Sequence, residues 1–186
     1  MDVWFPHETC KTVTSSEEFI KNVYSKNDPI ILKNSTLTRP AQRWSANFLR
    51  AKFDKTSTYS VICSKNKRFL YSKDNSKEYK MSMTEFLDKT KENFGKPTQD
   101  REYLYFQNEL DERNRDADIL KDFFSFDWDF LKRISKHWKE LAKSQMFING
   151  AKGSVTPCHF DEQMNIFSQI RGRKRFYLFP CSQVSI

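Results

Sequence analysis

The run QMNIFSQIRGRKRFYLFP, from Gln163 to Pro180, restricts the possible folds of this chain most severely. Apolar and polar residues alternate on both sides of Arg171-Gly172, and a period of two belongs to a half-buried strand, not to a helix. The glycine supplies a turn, so the run predicts an antiparallel hairpin. Such pairing sets Gln169 opposite Lys174 and Phe167 opposite Phe176. Asn165, Phe167, Gln169, Lys174, Phe176 and Leu178 then share one face. Just upstream, in TPCHFDEQ, stands the triplet His159-Phe160-Asp161. Residues two apart in a strand point to the same side, with Cα atoms roughly 6.5–7 Å apart. His159 and Asp161 can therefore close on one ion while Phe160 faces the opposite layer.

An imidazole with a carboxylate makes two thirds of the 2-His-1-carboxylate triad of non-haem Fe(II) oxygenases, which leaves positions open for a co-substrate and O2. By itself H-x-D is a weak motif that recurs in unrelated strands. Lys174 also has two readings. It is either an exposed lysine in the basic run RGRKR or a cation turned inward to neutralise a metal-bound dicarboxylate. Thr156 suits the second reading, because a hydroxyl ahead of the metal-binding strand can donate to that carboxylate.

The rest of the chain predicts a mixed α+β protein. SSEEFIKNVYSK (15–26) is a capped amphipathic helix, DPIILKN (28–34) a short buried strand, and RWSANFLRAKF (43–53) a helix capped by Ser45. STYSVICS (57–64) and KRFLYS (67–72) form a hairpin around KNK, and MSMTEFLDKTKENFG (81–95) is a helix with a glycine stop. EYLYFQNEL (102–110) alternates, with Tyr103, Tyr105 and Gln107 on one face and Leu104 and Phe106 on the other. Taken alone, Tyr105 reads as a strand tyrosine with its ring in the core and its hydroxyl at a wet edge. Residues 114–143 are mostly helical with a break near SFDWD, and QMFINGAKGSVTPCHFD returns to strand and turn.

Composition narrows the class of function. Of 186 residues 38% are hydrophobic and 17 are Phe, enough for a packed interior. The net charge of +8 arises from 32 Lys+Arg dispersed among 24 Asp+Glu, a pattern of solvated faces that argues against a nucleic-acid partner. Cys10, Cys63, Cys158 and Cys181 form no C-x-x-C pair, which fits a reducing cytoplasmic and nuclear setting. No apolar run is long enough for a bilayer and no signal peptide is visible, so the expectation is no membrane association.

Taken together, TPCHFDEQMNIFSQIRGRKRFYLFP, DPIILKN, RWSANFL, YSVICSKNKRFLYSKD, EYLYFQNEL and FFSFDWDFL resemble segments of the JmjC-domain dioxygenases. The resemblance is strongest to the asparaginyl-hydroxylase branch associated with the hypoxia response. It implies a cupin-like double-stranded β-helix with flanking helices, mainly β. Residues 1–14 would be a terminal segment, 15–143 the N-terminal strands and helices, and 144–186 the first metal-binding strands of the barrel. His159 and Asp161 would ligate Fe(II). Tyr105, Thr156 and Lys174 would bind the distal carboxylate of the co-substrate 2-oxoglutarate, with Asn165 beside it. Tyr71 and Gln107 would face a peptide substrate carrying Asn, from a transcription factor or an ankyrin-repeat protein.

Cys158 and Phe160 depart from the Ala and Tyr that the family carries beside the histidine. The family's second ligating His, its substrate-gripping residues and the helices of its homodimer lie on later segments, beyond Ile186. His7 and His137 do not occupy that position. The resemblance therefore implies an incomplete iron site, and the expectation that residues 1–186 alone do not turn over 2-oxoglutarate. JmjC enzymes acting on other residue types, and a non-catalytic binding fragment, remain alternatives.

Overall fold

A computed structural model of the chain describes residues 10–25, 28–53, 55–68, 76–110, 117–135, 144–161 and 165–179. Among them, the strands are β1 (Lys11–Val13), β2 (Ile30–Leu32), β3 (Tyr59–Ser64), β4 (Ser76–Met81), β5 (Tyr103–Glu109) and β6 (Gln145–Asn149). The helices are α1 (Ser16–Ser25), α2 (Ala46–Lys52), α3 (Met83–Phe94), α4 (Ala117–Phe124) and α5 (Trp128–Ser135), with a 3-10 turn at Arg39–Arg43. No described helix is long and apolar enough to cross a membrane.

Local chemistry explains most of these boundaries. The Ser45 hydroxyl accepts from the Phe48 amide to start α2. Ser82 and Glu85 form a reciprocal capping box at the head of α3, with Ser82 N–H donating to Glu85 Oε2 at 2.7 Å. β1, within the predicted terminal segment, pairs in parallel with β2 and buries Val13.

β4, β3, β5 and β6 form an antiparallel sheet in that order. Alternation on β5 divides its two faces as predicted. Leu104 and Phe106 are fully buried with Val61, Phe86 and Ile119, in a core between the sheet and α2, α3 and α4. Tyr103 and Tyr105 lie on the other face with Ala151 and Ile62. A second core joins Val13, Phe19, Leu37, Phe130 and Ile134.

Two strand predictions require correction. β3 pairs with Ser76–Met81 on one side, Ser64 opposite Ser76, and with Tyr103–Glu109 on the other, where the sequence pattern predicts 67–72 as its hairpin partner. β4 has one described strand beside it and exposes Lys77, Glu78 and Lys80, so charge outranks apolarity there. Arg68 makes an isolated parallel bridge to Val155, whereas residues 69–72, including Tyr71, lie outside the described residues.

The second correction concerns the segment around the triplet. His159 and Asp161 are not in a strand, and residues 165–179 form no strand ladder among the described residues. Pairing begins at Val155, whose N–H donates to the Lys67 carbonyl at 2.8 Å. It then meets Pro157, which has no N–H to donate, and the Pro157 carbonyl is taken by the His159 ring.

Candidate functional site

Pro157 and Asn165 contact the predicted metal ligands. His159 Nδ1 lies 2.8 Å from the Pro157 carbonyl. A carbonyl only accepts, so in the neutral ring Nδ1 carries the hydrogen and Nε2 presents its lone pair. Nε2 lies 3.6 Å from Asp161 Oδ1. The Asn165 amide donates to the other carboxylate oxygen, Oδ2, at 2.7 Å. Each ligand is thus oriented by a neighbour on its far side, the outer-shell arrangement usual for metal-binding His and Asp.

The donor pair fits a metal ion in chemistry and spacing. An ion with bonds of about 2.1 Å touches donors up to about 4.2 Å apart, so a 3.6 Å separation allows both to bind one ion. Both side chains are partly exposed, which leaves the ion's remaining positions accessible. Among the described residues no third His, Cys, Asp or Glu joins them. The described site is two-pointed.

The predicted hairpin face survives without its ladder. Ile166 packs on the second core and Ile170 on the first, while the Ser168 and Thr38 hydroxyls share a 2.6 Å hydrogen bond. The alternate positions point away from those contacts. Phe167 meets Phe176 edge to face at 5.0 Å, as cross-strand pairing predicts, and Lys174 Nζ sits 5.0 Å from the centre of each ring. Partial burial pushes the Lys174 ammonium below its usual range. A cation held over two π faces is a suitable partner for an incoming carboxylate. Gly172, at φ +77°, makes the turn a residue with a Cβ would strain.

The remaining candidates are dispersed. Tyr105 is buried on β5 among Tyr103, Ile62 and Ala151, its ring 6.0 Å from Phe147. Gln107 lies two residues along the same face and donates to Gln145 at 3.2 Å. It helps line a groove of about 270 Å3 with Ser60, Glu78 and Glu109. Thr156 is half-buried beside the Val155 bridge. No described hydrogen bond joins Tyr105, Thr156 or Lys174 into one cluster.

Several contacts escaped sequence reasoning. Arg171, read as a turn residue, sends its guanidinium to the Trp44 and Gln42 carbonyls at 2.8 and 2.6 Å. Trp44 in turn donates its indole N–H to the buried Asp122. These partners are separated by 127 and 78 residues, and no local pattern encodes them.

Helices packed on a mainly antiparallel sheet give a mixed α+β architecture. The sequence model of the cupin-like domain family matches residues 15–186, and the chain belongs to that family. It is similar to the lysine-specific demethylase JMJ30 of Arabidopsis thaliana, with 26% identity over 181 residues. That match covers 92% of this chain but 38% of the length of the relative.

Proposed function

We propose that the chain contributes to an Fe(II)- and 2-oxoglutarate-dependent oxygenase acting on protein side chains. The observation that carries this reading is the His159–Asp161 pair, 3.6 Å apart and held by Pro157 and Asn165, in a cupin-like chain similar to a JmjC demethylase. His159 and Asp161 would hold the iron. Bound iron supplies the redox chemistry that couples decarboxylation of 2-oxoglutarate to oxidation of a C–H bond.

The chain's own residues bind and orient the reactants. Asn165 restrains the Asp161 carboxylate, leaving Oδ1 directed at the imidazole side. Lys174 pairs with the distal carboxylate of the co-substrate, its ammonium held 5.0 Å from the Phe167 and Phe176 ring centres. On the strength of the sequence resemblance, Thr156 and the Tyr105 hydroxyl are assigned as further donors to the same carboxylate. Gln107 and the groove beside it receive an extended peptide, whose backbone the amides of Gln107 and Gln145 can bond.

The acceptor is an asparagine side chain on the strength of the sequence resemblance. The demethylase relative supports a second reading, in which the acceptor is a methylated lysine.

Anaerobic titration with Mn(II), an inert substitute for Fe(II), tests the metal site. One ion per chain is expected, with binding abolished in His159→Ala and Asp161→Ala. Equal binding by both variants overturns the assignment. Peptide libraries incubated with the full-length enzyme, Fe(II) and 2-oxoglutarate separate the acceptors by mass. A gained oxygen on Asn supports hydroxylation, and loss of methyl groups from Lys supports the second reading.

A further inference from the structure

We propose that Arg171 is the positioning residue for Lys174, tethering the carboxylate-binding arm to the corner between the 3-10 turn and α2. The role of Lys174 rests on the oxygenase reading above; the tether itself rests on the structure's geometry.

The 3-10 turn ends at Arg43, and the carbonyls at such an end lack partners within the turn. Arg171 supplies two donors there, Nε to the Trp44 carbonyl at 2.8 Å and Nη2 to the Gln42 carbonyl at 2.6 Å. A rigid planar fork fixes direction as well as distance, which a lysine ammonium cannot do. The corner that receives it is itself clamped. Trp44 is buried and donates to Asp122 Oδ2 at 2.8 Å, while Arg43 binds both Asp122 oxygens at 2.7 Å. Asp122 belongs to α4, so the tether reaches the main core.

On the other side of Arg171 comes Gly172, then Lys174 two residues later. Among the described residues, the contacts along this arm's path are side-chain anchors. Ile170 and the Thr38–Ser168 hydrogen bond secure the approach to the turn. Arg171 secures the turn itself, which sets where the arm returns and therefore where Lys174 lies over Phe167 and Phe176. Pre-placing the cation removes an ordering penalty when the dicarboxylate binds.

Reductive 13C-methylation of the lysines gives a readout of position independent of turnover. The dimethyl-Lys174 signal, assigned by its loss in Lys174→Ala, is expected to be displaced by ring currents. In Arg171→Ala it moves to the position of solvent-exposed lysines; in Arg171→Lys it moves part of the way. Arg175→Ala, altering an exposed neighbour, leaves it in place. In the full-length protein loaded with Mn(II), calorimetry with 2-oxoglutarate shows affinity falling about tenfold in Arg171→Ala as pre-placement is lost. Circular dichroism verifies folding, and Arg171→Lys carries the test if Arg171→Ala unfolds. A Lys174 signal unmoved in a folded Arg171 variant overturns the tether, even if thermal stability drops. Unchanged 2-oxoglutarate affinity in Lys174→Ala overturns the role assigned to Lys174 and leaves the positional result to decide the tether.

Discussion

Asp122 shows how one side chain can fix the arrangement of elements distant in sequence. It is 6% exposed and accepts from Trp44 and from both sides of the Arg43 guanidinium. Its Arg43 partner stays half-exposed, so the pair avoids most of the penalty of a wholly buried ion pair. Replacing Asp122 with Ala leaves a buried indole N–H without this acceptor and releases the Arg43 fork. The expected loss is about 2–3 kcal/mol, the range for hydrogen bonds to a charged group, read from urea unfolding. Asp122 attracted no notice in the sequence because a lone Asp on an amphipathic helix reads as solvated. His159 and Asp161 were legible, since their spacing and chemistry stand in a single triplet. Their orientation by Pro157 and Asn165 was not, because it depends on the path of the backbone between them.

At the scale of elements, some helix ends are fixed by chemically redundant local contacts. The head of α3 is one case. Ser82 N–H and Oγ both donate to Glu85, and these bonds hold the Glu85 carboxyl below its ordinary value of 4.5. A depressed folded-state value contributes stability that is full above the unfolded value and disappears as pH falls through the folded one. Glu85→Gln keeps the reach-back contact but removes the titration. The variant's stability is therefore expected to decline less steeply than the parent's below pH 4.5, as followed by chemical denaturation against pH.

Gly150, which follows β6, illustrates a constraint that local sequence does not reveal. Its N–H donates to the Leu104 carbonyl at 2.8 Å, and a Cβ there would stand 2.7 Å from Thr90 Oγ1 and 2.9 Å from Leu104 Cβ. Gly150→Ala is expected to lower stability by about 1–3 kcal/mol through overpacking, measured by thermal unfolding. The pairing of β3 with β4, where the sequence pattern pointed to 67–72, has the same kind of origin. Apolar content selects strands buried on both faces, whereas β4 contributes Met81 to the core and exposes charges along the rest of its length.

Across the whole molecule, stability is concentrated where the sheet meets α2, α3 and α4. Val61, Leu104 and Phe106 are fully buried there, on two paired strands. Phe160, Phe176, Tyr177, Leu178 and Phe179 lie at least half exposed on a segment without a described ladder. Native-state hydrogen exchange is expected to be slowest in β3 and β5 and much faster through 165–179. Equal protection in the two regions would contradict this distribution.

The sequence by itself determined the elements whose signals are local: the caps of α1 and α2, the two faces of β5, the turn at Arg171-Gly172 and the closeness of His159 to Asp161. Such features depend on residues a few positions apart, where periodicity and side-chain reach decide the outcome. Only the tertiary structure decided that β3 pairs with β4 and β5, that Lys174 lies over the Phe167 and Phe176 rings, and that Arg171 fastens their arm to the Trp44–Asp122 corner. Those outcomes turn on which surfaces and unpaired carbonyls meet after the chain collapses. Partners more than a hundred residues away, as for Arg171, leave no trace in the local pattern.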